Sequence, residues 1–275
     1  MKIVGIHGIG NHRPGESAET ATRNLSAVWA KHLGVDDADV QVVYYADLLR
    51  EKGRQSDDTE LEDLTQAEEE TLRGLLATQS SNSGAESGRL AQGLLTTLLR
   101  DGIADIAESW ACPEWLMEWL MVRWAKEVTA YRTPGPAREE VQRRLHETIV
   151  EHRPDVLIAH SLGSVVAYET LHQEGTPHVP LWVTVGSPLA VPKVIFDRLV
   201  PTPEGGMGVR PRAVGRWANL ADPGDPVAIP IKGISRSFRG VDSDEHGVIH
   251  QGFKFHHAEY YLKSTEVARL LASAA

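Results

Sequence analysis

The sequence predicts an α/β fold: a mostly parallel sheet flanked by helices and carrying a helical insertion. Short apolar runs that stop at glycines or polar turns alternate with stretches of helical spacing over residues 1–47, and again from residue 136 onward. Buried parallel strands read as such runs, and strand–helix alternation implies a parallel sheet covered on both faces. Residues 50–135 differ, with leucines at helical spacing and no strand-like run. A chain of 275 residues can bury a large core without disulfides or structural metal. One domain over 1–275 is therefore expected, with residues 50–135 as the insertion.

Residues 2–7, KIVGIH, read as the first strand, and residues 16–32 as a helix with Leu25, Val28, Trp29 and Leu33 on its apolar side. Residues 40–47, VQVVYYAD, are β-branched and aromatic and read as a second strand. In the insertion, Leu61, Leu64, Leu72, Leu75 and Leu76 mark an acidic helical segment, and residues 80–88 are a polar break. Leu90, Leu94, Leu95, Leu98, Ile103 and Ile106 mark a second helical segment, which leads to Trp110, Trp115, Trp119 and Trp124. Pro136 suits the first turn of a helix with Val141, Leu145 and Ile149 as its stripe, stopped by Pro154. There follow a strand (155–161), a helix (162–173), a strand (180–188), a helix (191–200, VPKVIFDRLV), a strand (216–222) and a closing helix (264–272).

The formal charge of −10 argues against nucleic acid or an anionic membrane surface as partner, because phosphates repel such a chain. The single cysteine, Cys112, excludes an internal disulfide and reads as a buried hydrophobe. No apolar run approaches the roughly 20 residues that span a bilayer, and the opening MKIVGIHGIG is not a signal peptide. A cytoplasmic protein is expected.

Ser161 stands in VLIAHSLGSVV, directly after an apolar run and before a helical one, with Ala159 and Gly163 two residues to either side. This fits the G-x-S-x-G nucleophile elbow, with alanine at the first small position. A sharp strand-to-helix turn lifts the serine out, and bulk two residues away would collide with neighbouring elements. The bland reading is a helix N-cap, which serine does well. A serine hydroxyl needs a histidine base, and the base needs an orienting carboxylate, in the order Ser, acid, His for this architecture. The candidates are Asp222 and Asp225 in NLADPGDPVAIP, and His256 and His257 in FKFHHAEYYLKS.

HGIG, residues 7–10, ends the first strand. An oxyanion hole takes one backbone N–H from that loop and one from the residue after the nucleophile, here Ile9 and Leu162. His7, Gly8, Gly10 and His160 would line the substrate. A dinucleotide loop fits poorly: Arg13 stands where G-x-G-x-x-G needs its last glycine, and Asp47 lies too far on. A metal site built from His246, His250, His256 and His257 matches no strong ligand spacing. No metal or organic cofactor is expected.

Together HGIG, AHSLG, GSP, DPGDPVA and HHAEYYLKS resemble the α/β-hydrolase superfamily, in its lipase and esterase branch, over residues 1–47 and 136–275. The resemblance implies a serine hydrolase cleaving a carboxylic ester through a Ser-His-Asp triad. It favours Asp225, for the hydrophobic and proline-containing stretch that follows it, and His257, for Tyr260 three residues on. It places the insertion where helical lids and caps occur, suited to a small-molecule ester with an apolar acyl group; a homo-oligomer is compatible with it. An acyltransferase using the same triad and a non-catalytic binding module of the same fold are the alternatives.

Overall fold

A computed structural model describes residues 1–35, 39–49, 60–79, 92–109, 112–247 and 256–274. The stretch 80–88, Leu90, Trp110, His250 and the side chains of Leu94 and Leu95 lie outside the described residues. In chain order the strands are β1 (Lys2–Ile6), β2 (Asp39–Val43), β3 (Val156–His160), β4 (Val179–Val185), β5 (Gly208–Val209), β6 (Val214–Ala221), β7 (Phe238–Arg239) and β8 (Ser243–His246). The helices are α1 (Ala18–Leu33), α2 (Gln66–Gln79), α3 (Gln92–Ser109), α4 (Glu114–Arg132), α5 (Pro136–His152), α6 (Leu162–Leu171), α7 (Gly233–Ser237), α8 (Ala258–Leu262) and α9 (Thr265–Ala272).

The chain divides into two compact units, Met1–Leu48 with Gly135–Ala275, and Leu49–Pro134. In the first, six strands form one sheet in the order β2-β1-β3-β4-β6-β8, and every pairing is parallel. One face shows the two-residue period of a strand: Ile3, Val40, Val42, Val156, Ile158, Leu181, Val183, Ala218 and Leu220 share a core with Leu25 and Trp29 of α1, Tyr261 of α8 and Val267 of α9. Trp29 reaches the sheet because Gly5 has no side chain; a Cβ there would lie 2.6 Å from the indole. Helices α5 and α6 pack on each other and on β1, and α6 is buried along its whole length. The order places β1 and β3 side by side where the winding of the sheet reverses. In open parallel sheets, ligands bind beyond the carboxyl ends at that switch point.

In the second unit α2, α3 and α4 pack on one another, with Leu72, Leu75, Ile103, Met117, Met121, Trp124 and Val128 buried. Trp115 is exposed, unlike Trp124. Among the described residues no helix is long and apolar enough to cross a membrane.

The sequence reading did not place the short elements β5, β7, α7 and α8, and its strand over 40–47 ends at Val43; two further differences have a direct physical reason. Residues 191–200 form turns with one 3-10 turn at Phe196–Arg198 rather than an α-helix. Pro192 has no N–H to donate, Lys193 takes a left-handed φ of 61°, and its N–H is claimed by the Asp197 carboxylate at 2.7 Å. Conversely, β8 has the sequence SDEH, with none of the apolar residues that announce a strand. Side chains anchor it: Asp244 accepts from Asn219 of β6 at 2.8 Å and from the Ser235 N–H at 2.8 Å. Burial pulls the Asp244 carboxyl upward, but hydrogen bonds from His246, Ser235 and Asn219 outweigh it and hold its pKa at about 2.

Candidate active site

Strand β3 delivers Ser161 to the carboxyl edge of the sheet, and α6 begins at the next residue. Ser161 has φ 53° and ψ −128°, and its side chain makes no capping hydrogen bond. It is therefore a strained elbow and not an ordinary N-cap. The small neighbours explain how the turn fits. A Cβ on Gly163 would lie 2.5 Å from the His7 carbonyl oxygen, and one on Gly8 would lie 2.4 Å from Ser161 Cβ. The loop after β1 thus runs directly against the serine.

The Ser161 hydroxyl lies 2.7 Å from His256 Nε2, and His256 Nδ1 lies 2.9 Å from both oxygens of Asp225. All three side chains are buried. A carboxylate only accepts, so the imidazole proton belongs on Nδ1 and Nε2 is left to accept from the serine. Asp225 Oδ1 also accepts from the N–H groups of Val227 at 2.9 Å and Ala228 at 3.3 Å, and Oδ2 accepts from Tyr261 Oη at 2.8 Å. Asp222 instead shapes the turn before it, its Oδ1 accepting from the Gly224 N–H at 2.7 Å.

The choice of His257 is corrected by this geometry. It is exposed and occupies the position just before α8, while its neighbour faces the serine. The aromatic signal slips by one residue with it. Tyr260 is half-buried under Lys263 Nζ, whereas Tyr261 is buried, donates to Asp225 and accepts from the Asp222 N–H at 3.0 Å. Burial first, and then the charge of Asp225, push the Tyr261 phenol well above 10, so it stays a donor. Gly186, at φ 56°, lets this group close up; a Cβ there would lie 2.9 Å from Asp225 Oδ2.

Ile9 and Leu162 are buried, one following Gly8 and one following Ser161. Gly10 makes an exposed turn at φ 77°. His160 is buried, with its ring centroid 5.0 Å from that of His256; burial, then the neighbouring His256, hold its pKa well below 6.5. It packs against His256 rather than opening to solvent.

His7 is a second correction, because its ring is buried and both its nitrogens are engaged within the protein. Nε2 accepts from the Tyr45 N–H at 3.1 Å, so Nδ1 carries the proton and donates to the Gly8 carbonyl at 2.7 Å. The ring stacks on Tyr45 at 4.1 Å. Burial lowers its pKa to about 4, against an ordinary 6.5. The unfolded chain therefore takes up a proton that the folded one refuses. Stability contributed by neutral His7 is full above pH 6.5, falls as pH drops through that window and levels off below about 4. At about 1.4 kcal/mol per pH unit, the loss comes to about 3 kcal/mol. Urea unfolding at pH 7 and pH 4 should show a drop larger by about this amount in the native chain than in His7→Asn; equal drops would mean the folded ring is protonated freely.

Asn11, Ser164 and Ser187 also contact this region, and the sequence reading did not single them out as site residues. Asp47 ends in a bidentate pair with Arg144, at 2.8 and 3.0 Å. Among the described residues no group of three or more His, Cys, Asp or Glu side chains could hold a metal; His246 instead meets Asp244 at 3.0 Å. Comparison of the chain with protein-family models, curated proteins and solved structures gives no match.

Proposed function

We propose that the protein is a serine hydrolase of carboxylic esters, of the α/β-hydrolase type. The observation that carries this reading is the continuous line Ser161 Oγ, His256 Nε2, His256 Nδ1, Asp225, at 2.7 and 2.9 Å, with the serine on a positive-φ elbow. Its place at the switch point of a parallel sheet supports the same reading.

Ser161 Oγ attacks the ester carbonyl carbon as its proton passes to His256 Nε2. The carbonyl π electrons move to oxygen, and the amides of Ile9 and Leu162 bind the resulting oxyanion. The tetrahedral intermediate collapses, the C–O bond to the alcohol breaks, and the alkoxide takes the proton from His256. Water repeats the sequence on the acyl-enzyme, giving its proton to His256, and the carboxylic acid leaves with Ser161 restored. Asp225 orients the imidazole and stabilises its charged form.

The test is a fluorophosphonate probe together with a short-chain aryl ester. Phosphonylation of the native chain, absent in Ser161→Ala and slowed while excess slow ester keeps Ser161 acylated, is the expected result. A chain that neither labels nor releases the aryl alcohol is a binding module. Product that appears only as a new ester when an alcohol is added makes the protein an acyltransferase.

A further inference from the structure

The proposed oxyanion amides belong to peptide units whose opposite ends are tied down. In a trans peptide the C=O of one residue and the N–H of the next point in opposite directions within one plane, so a hydrogen bond to the carbonyl sets the direction of the amide.

In the Ser161–Leu162 unit, the Ser161 carbonyl accepts from the Ser164 N–H at 2.8 Å and from the Ser164 hydroxyl at 2.6 Å. Ser164 has one hydroxyl proton and spends it there. Its 2.7 Å contact with Ser187 Oγ must therefore use the Ser187 proton. Ser187 Oγ in turn accepts from the Leu189 N–H at 3.3 Å. The proton directions thus run one way, Leu189 to Ser187 to Ser164 to Ser161, and both relay serines are buried. On the other side of the nucleophile, its own N–H donates to the Val185 carbonyl at 3.1 Å. The last residue of β4 thereby holds one peptide unit flanking the strained residue directly, and Ser187, just beyond the strand, reaches the other through Ser164. A backbone at φ 53° is strained and persists only where its surroundings over-determine it.

The Gly8–Ile9 unit is held in the same way. The Gly8 carbonyl accepts from His7 Nδ1 at 2.7 Å and from Asn11 Nδ2 at 3.0 Å, and Asn11 Nδ2 also reaches the Ile9 carbonyl at 3.0 Å.

We propose that Ser164, with Ser187 behind it, and Asn11 are positioning residues that aim the Leu162 and Ile9 amides by holding the carbonyl ends of their peptide units. This rests on the hydrolase reading above. None of the three touches the reacting atoms. Their effect falls on the transition state, where the oxyanion exists, and leaves ground-state ester binding alone.

The experiment measures kcat and KM on a short-chain aryl ester, inhibition by an aryl trifluoromethyl ketone, and thermal melting. The ketone forms a tetrahedral adduct whose oxygen occupies the same place as the oxyanion. Ser164→Ala should lower kcat about tenfold or more and weaken the ketone in parallel, with KM within about twofold, since an oxyanion donor lost outright costs about 10²–10³. Ser187→Ala should cost less than Ser164→Ala. The double variant should match Ser164→Ala alone, because Ser187 acts through Ser164. Asn11→Ala should lower kcat about threefold to tenfold, and that loss should multiply with the Ser164→Ala loss, since the two act on separate peptide units. Unchanged kcat in Ser164→Ala overturns the proposal. So does a relay whose two losses multiply, or a kcat loss matched by a KM rise and a broken melting transition. Full activity in Ser161→Ala overturns the hydrolase reading itself and the purpose of the relay with it.

Discussion

Ser161→Ala is expected to lower kcat on a short-chain aryl ester by about 10⁴–10⁶, while the chain stays folded. The substitution removes the oxygen proposed to attack, which is also the partner of His256 Nε2, and leaves the two amides in place. Residual rate over water should remain, because oxyanion stabilisation and binding act without the nucleophile. The strained backbone supplies an independent check. Alanine keeps a Cβ at φ 53° and keeps the strain, whereas glycine adopts that region freely. Ser161→Gly should therefore melt higher than Ser161→Ala, against the usual cost of glycine, with a gain of about 1 kcal/mol from strain relief. Both variants should show the same loss in kcat, about 10⁴–10⁶. An alanine variant that still turns over at near the native rate would falsify the nucleophile assignment.

The sheet was legible because burial on both faces writes itself as apolar runs, as in KIVGI of β1 and VLIAH of β3. The elbow was legible because its geometry forbids bulk beside Ser161, and Gly8 and Gly163 record that prohibition directly. What failed were features set by contacts distant in sequence. Strand β8 pairs through polar side chains that find partners on β6, so its hydropathy carries no trace of pairing. Residues 191–200 had the right apolar spacing for a helix, but one carboxylate, Asp197, captured the Lys193 N–H. His7 is the residue type expected at the mouth of a site, yet Tyr45 turns it inward. Asp225 could be preferred over Asp222 from its surroundings, whereas choosing between two adjacent histidines requires knowing how the short helix after them is rotated.

That rotation makes His256→Ala and His257→Ala a sharp pair of variants. His256→Ala should cost about 10⁴–10⁶ in kcat, close to the loss in Ser161→Ala, since nucleophile and base act as one unit. The double variant Ser161→Ala with His256→Ala should be no slower than either single one. His257→Ala should stay within about threefold, as an exposed substitution away from the reacting atoms does. The physical reason lies in α8. Tyr261 and Leu262 are its buried residues, and the Tyr261 hydroxyl bridges Asp225 and the Asp222 N–H. Fixing Tyr261 in that slot fixes the rotation of the helix and leaves His256 beside Asp225 at the point where the chain enters it. Moving the base to His257 would require turning the helix by a residue, which would pull Tyr261 off the carboxylate and expose a buried phenol. If His257→Ala proves the dead variant and His256→Ala the mild one, the helix is rotated in solution and the Tyr261 bridge does not exist there. Tyr261→Phe would then leave kcat unchanged, whereas the bridge described here requires it to fall.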